Sequence, residues 1–210
     1  MQPHLEQCCD HVSHQNSHDG ETAMTSPIWR QHLRAAQKRE GHAAQARWVQ
    51  LATVHTDGCP RVRTVVFRGW VGDAQLDLFS DARSSKFSDL IHQPEAEICW
   101  LFPKAKQQYR FRGVIDILRP DNDSDTCHQA WKNLSPRGRA VWTWPPPGSP
   151  FDDQDAFSIN VDDTQPLPEH FRILRLAINR AELLDLKGDV HKRLLWTHSN
   201  QLWREERLNP

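Results

Sequence analysis

The sequence predicts a mainly β fold, an antiparallel barrel with a few attached helices. Most of the chain after residue 26 divides into short runs that alternate apolar and polar residues, which is the period of half-buried strands. These runs follow one another through turn residues such as Asp57-Gly58, and helices do not alternate regularly with them. A doubly wound parallel sheet is therefore not expected, and hairpins adjacent in sequence close most simply into a barrel.

About seven or eight strands are expected from these runs. Trp48 and Trp100 both lie in strand-like runs, where large aromatic residues most often belong to the core. The expected strands are 47–56, 61–70, 75–80, 96–102 and 107–118, then two strands within 171–186 and a closing hairpin within 190–208.

Three or four helices are expected beside these strands, each from a start signal. Ser26 is expected to cap the first helix, with Pro27 at its first position and Gly41 beyond its end. Ser84 can cap a short second helix. Asp123 begins a third, and the segment 137–144 suggests a fourth.

Composition excludes several classes of protein. The chain has 210 residues with 26 basic and 27 acidic side chains, a net charge of −1 that does not favour a nucleic-acid partner. No apolar run approaches the roughly 18 residues of a membrane helix, and the N-terminus lacks the pattern of a secretory signal. That lack of an apolar run also predicts no membrane partner. Five cysteines at scattered spacings argue against a disulfide framework, so we expect a reducing, cytoplasmic location.

Residues 1–24 differ from the rest because they are rich in His and lack apolar periodicity. We expect a disordered tail over 1–24, with Met24 as an alternative start, and one domain over 25–210. A metal site in the tail is the competing hypothesis. The adjacent Cys8-Cys9 pair does not match the separated ligand pairs of a structural zinc site, so no metal is expected.

Two segments carry cations where an anion would stabilise them. Arg63 and Arg68 flank an apolar stretch of one strand, and arginine is suited to phosphate because its planar fork donates paired hydrogen bonds. Lys86 stands in the first turn of the expected second helix, where a bound anion would offset its unfavourable interaction with the helix dipole. The alternative for both segments is ordinary solvated side chains.

Six segments, in order along the chain, match the motifs of a known family. They are Arg63 to Arg68; Phe79-Ser80 with Ser84-Ser85-Lys86; Gln107 to Gly113; Gly148-Ser149; Asp189 to Arg193; and Trp203 to Pro210. In this order they resemble the pyridoxamine 5′-phosphate oxidase family, and most closely its oxidase-related branch. The resemblance implies an FMN-binding antiparallel split β-barrel with peripheral helices.

The resemblance also implies roles for individual residues. Arg63 and Lys86, with Ser80 or Ser85, would hold the FMN phosphate, and Gln108 would bond the flavin. Ser149 and Arg193 would reach the flavin from the second subunit of a homodimer, since in this family FMN lies across the interface. The full set of cofactor-binding residues implied is Arg63, Val66, Arg68, Phe79, Ser80, Ser85, Lys86, Gln108, Ser149 and Arg193.

The substrate site departs from the family pattern. Its implied residues are Arg68, Trp131, Arg139 and His191. Asp189 stands where the family has an arginine that helps to bind a dianionic substrate, and Ser85 replaces an arginine of the phosphate site. Phosphate recognition of the substrate is therefore expected to be weaker than FMN binding.

The resulting hypothesis is an FMN-dependent oxidoreductase that acts on a small molecule by hydride transfer to flavin. No residue is assigned as a catalytic acid or base, since position and electrostatics suffice for this chemistry. The alternative is a flavin or haem carrier on the same barrel, because a fold does not fix chemistry. A protein that binds RNA through its arginine-rich strands is disfavoured by the net charge.

Overall fold

The computed structural model describes residues 26–210, which form eight strands and four α-helices. The strands are β1 (Trp48–Val54), β2 (Pro60–Val71), β3 (Gln75–Asp81), β4 (Glu95–Phe102), β5 (Gln107–Leu118), β6 (Phe171–Asp185), β7 (Lys192–Ser199) and β8 (Leu202–Leu208). The helices are α1 (Ile28–Glu40), α2 (Ser85–His92), α3 (Ser124–Lys132) and α4 (Pro136–Ala140), with a 3₁₀ turn at Ala44–Ala46. The prediction of a disordered tail over 1–24 concerns residues outside the described range.

All strand pairings in this range are antiparallel, and the order in the sheet is β3-β2-β1-β4-β5-β6-β7-β8. A further pairing of β3 with β6 closes the first six strands of this order into a barrel. The strands β7 and β8 extend the sheet beyond β6 as a hairpin. The fold is the predicted antiparallel split β-barrel with peripheral helices.

The strand β6 corrects the prediction of two strands within 171–186. It is continuous, but its first half pairs with β3 and its second half with β7, while β5 runs along both halves. The register with β5 shifts between Arg112 and Gly113, so Asn179 is the extra residue of a bulge. Gly113 is required there, because a Cβ atom on it would lie 1.9 Å from the carbonyl oxygen of Ala177.

Large aromatic side chains fill the barrel core. Trp29 of α1 is completely buried and its ring lies 5.2 Å from that of Phe111 and 5.6 Å from that of Trp203. Trp100 is also completely buried, as expected. The matching prediction for Trp48 is wrong: its side chain is 51% exposed, because β1 turns its next residue, Val49, toward the core.

A second, smaller core lies beneath α3 and α4. Trp131 and Trp142 pack there against Phe171 at the start of β6, and Cys127 of α3 is completely buried beside them. This cluster fixes α3 against the outer side of the barrel wall. The pocket described below lies between that helix and the wall.

The helix starts agree with the sequence in part. Asp123 caps α3 as expected, accepting a hydrogen bond from the Thr126 amide. Ser26 does not cap α1; its hydroxyl donates to Asp73 at 2.8 Å, and Pro27 holds the capping position. Within residues 26–210, the longest helices are too short or too polar to cross a membrane.

Candidate functional site

Arg63 lies at one end of the barrel, on the inward side of β2. Its guanidinium donates to the Thr53 hydroxyl at 2.6 Å and to the Leu51 carbonyl oxygen at 3.3 Å, and its other terminal nitrogen lies 3.2 Å from Asp89. The Arg63 side chain remains 23% exposed. The arginine is thus anchored from within and still reaches the surface.

Lys86, in the first turn of α2, is the second cation at this end. Its ammonium donates to the Ser84 hydroxyl at 2.9 Å and forms no ion pair within residues 26–210. Loss of solvent, and then the positive charge of Arg63, lower the pKa of Lys86, against a smaller opposite effect of Asp81. A partly desolvated cation that is repelled by a neighbouring cation is a suitable partner for an anion.

The start of α2 also accommodates an acceptor. Ser84 holds the capping position, but its hydroxyl donates to the Asp81 carbonyl oxygen at 2.6 Å instead of accepting from the helix. No side chain between residues 26 and 210 caps α2. Its first amide groups and Lys86 therefore face the same region, and such a helix start favours negative charge.

The two other predicted phosphate ligands differ in accessibility. Ser80 is only 2% exposed and its hydroxyl lies 3.4 Å from the Asp81 carbonyl oxygen. Ser85 is exposed at the first position of α2. Of the two hydroxyls, Ser85 is the one that a surface ligand can reach without rearrangement.

Arg68 and Phe79 line a pocket of about 840 Å³ between β2, β3 and α3. The Arg68 guanidinium lies 5.0 Å from the centre of the Phe79 ring, a cation–π arrangement. Partial desolvation, and then the charge of Arg47, lower the pKa of Arg68, and no carboxylate in the described residues pairs with it. Arg47 also lines this pocket and was not predicted from the sequence.

The helix wall of this pocket differs from the prediction. Trp131 is buried and its indole N–H donates to the Gln165 carbonyl oxygen at 3.0 Å. Arg139 is 5% exposed and its guanidinium donates to the carbonyl oxygens of Leu134 and Val161. Both side chains are held by backbone carbonyl groups, and neither lines the pocket. The polar side chains that line the helix wall instead are Asp125, Thr126, Gln129 and Asn133.

The strand register brings three predicted cofactor residues into one row across the outer face of the sheet. Val66 pairs with Trp48, Leu101 with Gln108, Gln108 with Leu184, and Leu184 with Arg193. The β1–β4 register, which pairs Gln50 with Cys99, continues to place Trp48 beside Leu101. We call these six residues, from Val66 to Arg193, the outer row.

An ion-pair network surrounds the Arg193 end of the outer row. Arg193 donates to one carboxylate oxygen of Glu182 at 2.8 Å, and Arg180 donates to the other at 2.9 Å. Arg110 lies 3.7 Å from Glu182 and also pairs with Glu97. Burial would raise the pKa of Glu182, but the hydrogen bonds from Arg193 and Arg180 outweigh it and lower the pKa.

The remaining predicted residues, Ser149 and His191, are both exposed. Ser149 is exposed in the proline-rich segment, and its hydroxyl donates to the Pro146 carbonyl oxygen at 2.9 Å. His191 is exposed just before β7. Neither residue lines the pocket at Arg68.

Sequence reasoning also missed a group of residues at the end of β1 and on α2. Asp89 is completely buried, and the Thr53 hydroxyl and the His55 ring each lie 2.7 Å from one of its carboxylate oxygens. The only signal in the sequence is that Thr53 and His55 continue the inward alternation of Val49 and Leu51. Nothing in the sequence indicates that a helix residue would join them.

Comparison with known proteins identifies the family. The family model described as pyridoxamine 5′-phosphate oxidase, FMN-binding domain, matches residues 26–119. Pyridoxine/pyridoxamine 5′-phosphate oxidase 2 of Arabidopsis thaliana is 32% identical over 194 residues, covering 87% of this chain and 96% of that protein. The corresponding oxidase of Pseudomonas fluorescens strain SBW25 is 29% identical, covering 87% of each chain.

Comparison with solved structures identifies the same family and the same fold. A pyridoxamine 5′-phosphate oxidase-related, FMN-binding protein from Nostoc punctiforme superposes with a TM-score of 0.82 at 32% identity, covering 89% of this chain and all of that one. PhzG from Burkholderia lata shares the fold, with a TM-score of 0.69 at 19% identity over 90% of this chain and 95% of that one. The chain belongs to the pyridoxamine 5′-phosphate oxidase-related family of FMN-binding split β-barrel proteins.

Proposed function

We propose that this protein is an FMN-dependent oxidoreductase in which Arg63 and Lys86 bind the phosphate of FMN. One observation carries the assignment: Lys86 is partly desolvated beside Arg63 and has a hydroxyl, not a carboxylate, as its hydrogen-bond partner. A phosphate there would relieve the repulsion between the two cations and accept from the start of α2. Ser85 is the nearest accessible hydroxyl in sequence, and these groups fit the phosphate of FMN.

The flavin ring is proposed to lie along β2, toward the pocket at Arg68. Val66, Arg68 and Phe79 follow the phosphate site on β2 and β3. Within residues 26–210 the Arg68 guanidinium makes no ion pair, so its donors are available to an electron-rich ring. Bound FMN would supply a hydride acceptor to a substrate in the same pocket. The protein's part in this chemistry is to hold the substrate in place, exclude water and present positive charge.

The site is proposed to be completed by a second copy of the chain. The outer row places exposed apolar side chains between predicted cofactor residues: Trp48 is 51% and Leu101 46% exposed. Gln108 and Arg193 belong to that row and do not line the pocket at Arg68. A homodimer that buries the outer row would cover its apolar centre and bring Gln108, Arg193 and Ser149 to the neighbouring flavin.

The substrate is proposed to be a small molecule whose recognition does not depend on a phosphate group. Trp131 and Arg139, the substrate-site residues implied on the helical segment, are occupied by backbone carbonyls. The polar groups that α3 turns toward the pocket are amides, a hydroxyl and a carboxylate, not cations. Arg68 and Arg47 supply positive charge only on the strand side of the pocket.

Anaerobic reduction of the FMN-loaded protein tests this function. Pyridoxamine and pyridoxamine 5′-phosphate, which differ only in the phosphate, are compared by following bleaching of the bound flavin. We expect reduction with both, at rates within about tenfold of each other, because a missing phosphate clamp removes the usual discrimination. A preference for the phosphate ester above about a hundredfold would contradict the substrate class.

Two other results would overturn more of the proposal. Purified protein that does not take up added FMN would remove the cofactor assignment to these residues. Protein that retains FMN, is reduced by dithionite, but is reduced by neither amine nor by other small amines would favour a flavin carrier.

A further inference from the structure

Asp89 is a completely buried carboxylate at the end of the barrel that carries Arg63 and Lys86. Three donors converge on it, from β1, from the residue that follows β1 and from β2. The Thr53 hydroxyl lies 2.7 Å from Oδ2, the His55 Nδ1 atom lies 2.7 Å from Oδ1, and an Arg63 terminal nitrogen lies 3.2 Å from Oδ2. The carboxylate thus joins α2 to β1 and β2.

The same contacts fix the orientation of the Arg63 guanidinium. One terminal nitrogen bonds Thr53 and the Leu51 carbonyl oxygen, and the other bonds Asp89. Thr53 therefore bridges the arginine and the carboxylate. A guanidinium has five N–H donors, and Nε makes no hydrogen bond within residues 26–210, so donors remain for a surface ligand.

We propose that Asp89 is a positioning residue that holds Arg63 in the orientation that binds the phosphate of FMN, with His55 and Thr53 fixing the carboxylate. The inference rests on the proposed function, because it assumes that Arg63 contacts that phosphate. A long arginine side chain that is already ordered loses less conformational entropy when the ligand binds.

The negative charge of Asp89 and its role in orienting Arg63 should have opposite effects on FMN affinity. The inference therefore predicts the direction in which that affinity changes when the charge is removed. A carboxylate near a phosphate opposes its binding, and Arg63, Lys86 and Asp89 together carry a net charge of only +1. If charge dominated, removing the carboxylate charge would tighten FMN binding. If orientation dominates, as we propose, removing it weakens FMN binding even though the site becomes more positive.

The Asp89 carboxylate is held in its charged form. Burial alone would raise the pKa of Asp89, but the hydrogen bonds from His55 and Thr53 and the charge of Arg63 outweigh it and lower the pKa. At neutral pH the carboxylate therefore remains an acceptor for all three donors. An amide at this position keeps one oxygen acceptor but turns an N–H group toward a second donor.

The test compares FMN with riboflavin, which has the same ring system and no phosphate. Both are titrated into the full-length chain freed of flavin, and binding is followed by flavin fluorescence. In Asp89→Asn we expect FMN affinity to fall at least about tenfold while riboflavin affinity changes less than about twofold. A merely structural defect would weaken both ligands alike.

A double-mutant comparison shows whether Asp89 acts through Arg63. Arg63→Ala is expected to lower FMN affinity about tenfold or more, and adding Asp89→Asn should cause no further loss. The matched control is Asp57→Asn, which removes an exposed carboxylate paired with Arg61 at the turn between β1 and β2. It should leave both affinities unchanged.

The outcomes separate the inference from the proposed function. Unchanged or tighter FMN binding in Asp89→Asn, with a loss in Arg63→Ala, would overturn the positioning role and keep the phosphate site. No loss of FMN binding in Arg63→Ala would overturn the phosphate site itself. If Asp89→Asn does not fold, Thr53→Val removes the bridging hydroxyl and should weaken FMN selectively; equal weakening of riboflavin would count against the inference.

Discussion

Glu182 balances the positive charge at the Arg193 end of the outer row. Its carboxylate is 7% exposed, whereas Arg180 and Arg193 are about one-third exposed at 34% and 33%. Removing the charge of Glu182 would leave these arginines close together without their shared partner. Its contribution to stability is therefore mainly that of preventing an uncompensated cluster.

We expect Glu182→Gln to lower the free energy of unfolding by about 1–3 kcal/mol at neutral pH. Because its folded-state pKa lies below the ordinary value of 4.5, the stabilisation is complete above that pH and is lost as pH falls through the folded value. Urea unfolding of both proteins between about pH 7 and pH 3 measures this, and the difference between them should shrink in acid.

The control is Asp121→Asn, whose carboxylate is 71% exposed beside Arg119. It should change the free energy of unfolding by less than about 0.5 kcal/mol. A Glu182→Gln variant as stable as this control would mean that the network contributes little.

For individual side chains, the sequence indicated some residues of the site but not the residues that they contact. Local spacing was enough to predict an anion site at Arg63 and Lys86. Asp89 and Glu182 could not be predicted, because Asp89 lies on a helix whose position beside Thr53 and Arg63 depends on the fold, and Glu182 meets Arg193 and Arg110 only through strand register. Arg139 misled because its guanidinium is taken up by the carbonyl oxygens of Leu134 and of Val161, 22 positions away, which its local sequence does not indicate.

The alternation of apolar and polar residues predicted the positions of the strands well and their continuity less well. Seven of the eight described strands begin and end within a few residues of the predicted segments. The exception is β6, where the bulge at Asn179 shifts the alternation by one residue and suggests two strands. In the sequence such a shift cannot be told from a strand end, because the glycine that permits the bulge lies on the neighbouring strand.

Gly113→Ala tests that account of the bulge. The added Cβ atom would meet the Ala177 carbonyl at a distance that only a backbone shift can relieve, so we expect a loss of about 3 kcal/mol or more. The thermal midpoint of unfolding should fall clearly. Gly69→Ala is the control, since it also stands at a register shift but a Cβ there meets nothing within 4 Å.

The exposed apolar residues at the centre of the outer row, Trp48 and Leu101, predict that the whole molecule self-associates. Trp48→Asp would place a charge among apolar residues that a homodimer must bury. We expect this variant to run as a monomer in light scattering after size exclusion, and to lose FMN with dissociation. A wild-type protein that is monomeric with FMN bound at micromolar concentration would contradict the dimer.

The control for this prediction is Ile28→Asp. Ile28 is as exposed as Trp48, at 55%, but it begins α1, where a carboxylate is favourable to the helix dipole. It should remain dimeric and keep FMN. The dimer could be expected from the sequence only through family resemblance, because the outward direction of Trp48 was not evident.

The pairing of β3 with β6 closes the barrel between strands that are far apart in sequence, so it should form late in folding. Across it Arg175 donates two hydrogen bonds to Asp77, at 2.8 and 2.9 Å, between residues 98 positions apart in sequence. Hairpins such as β1–β2 and β4–β5 join near neighbours and can form early, whereas closing so long a loop is slow. Asp77→Asn should therefore speed unfolding and leave the folding rate nearly unchanged in stopped-flow measurements. Until β3 pairs with β6, the sheet would have an unpaired β3 edge, and such an edge is the part most exposed to misassembly.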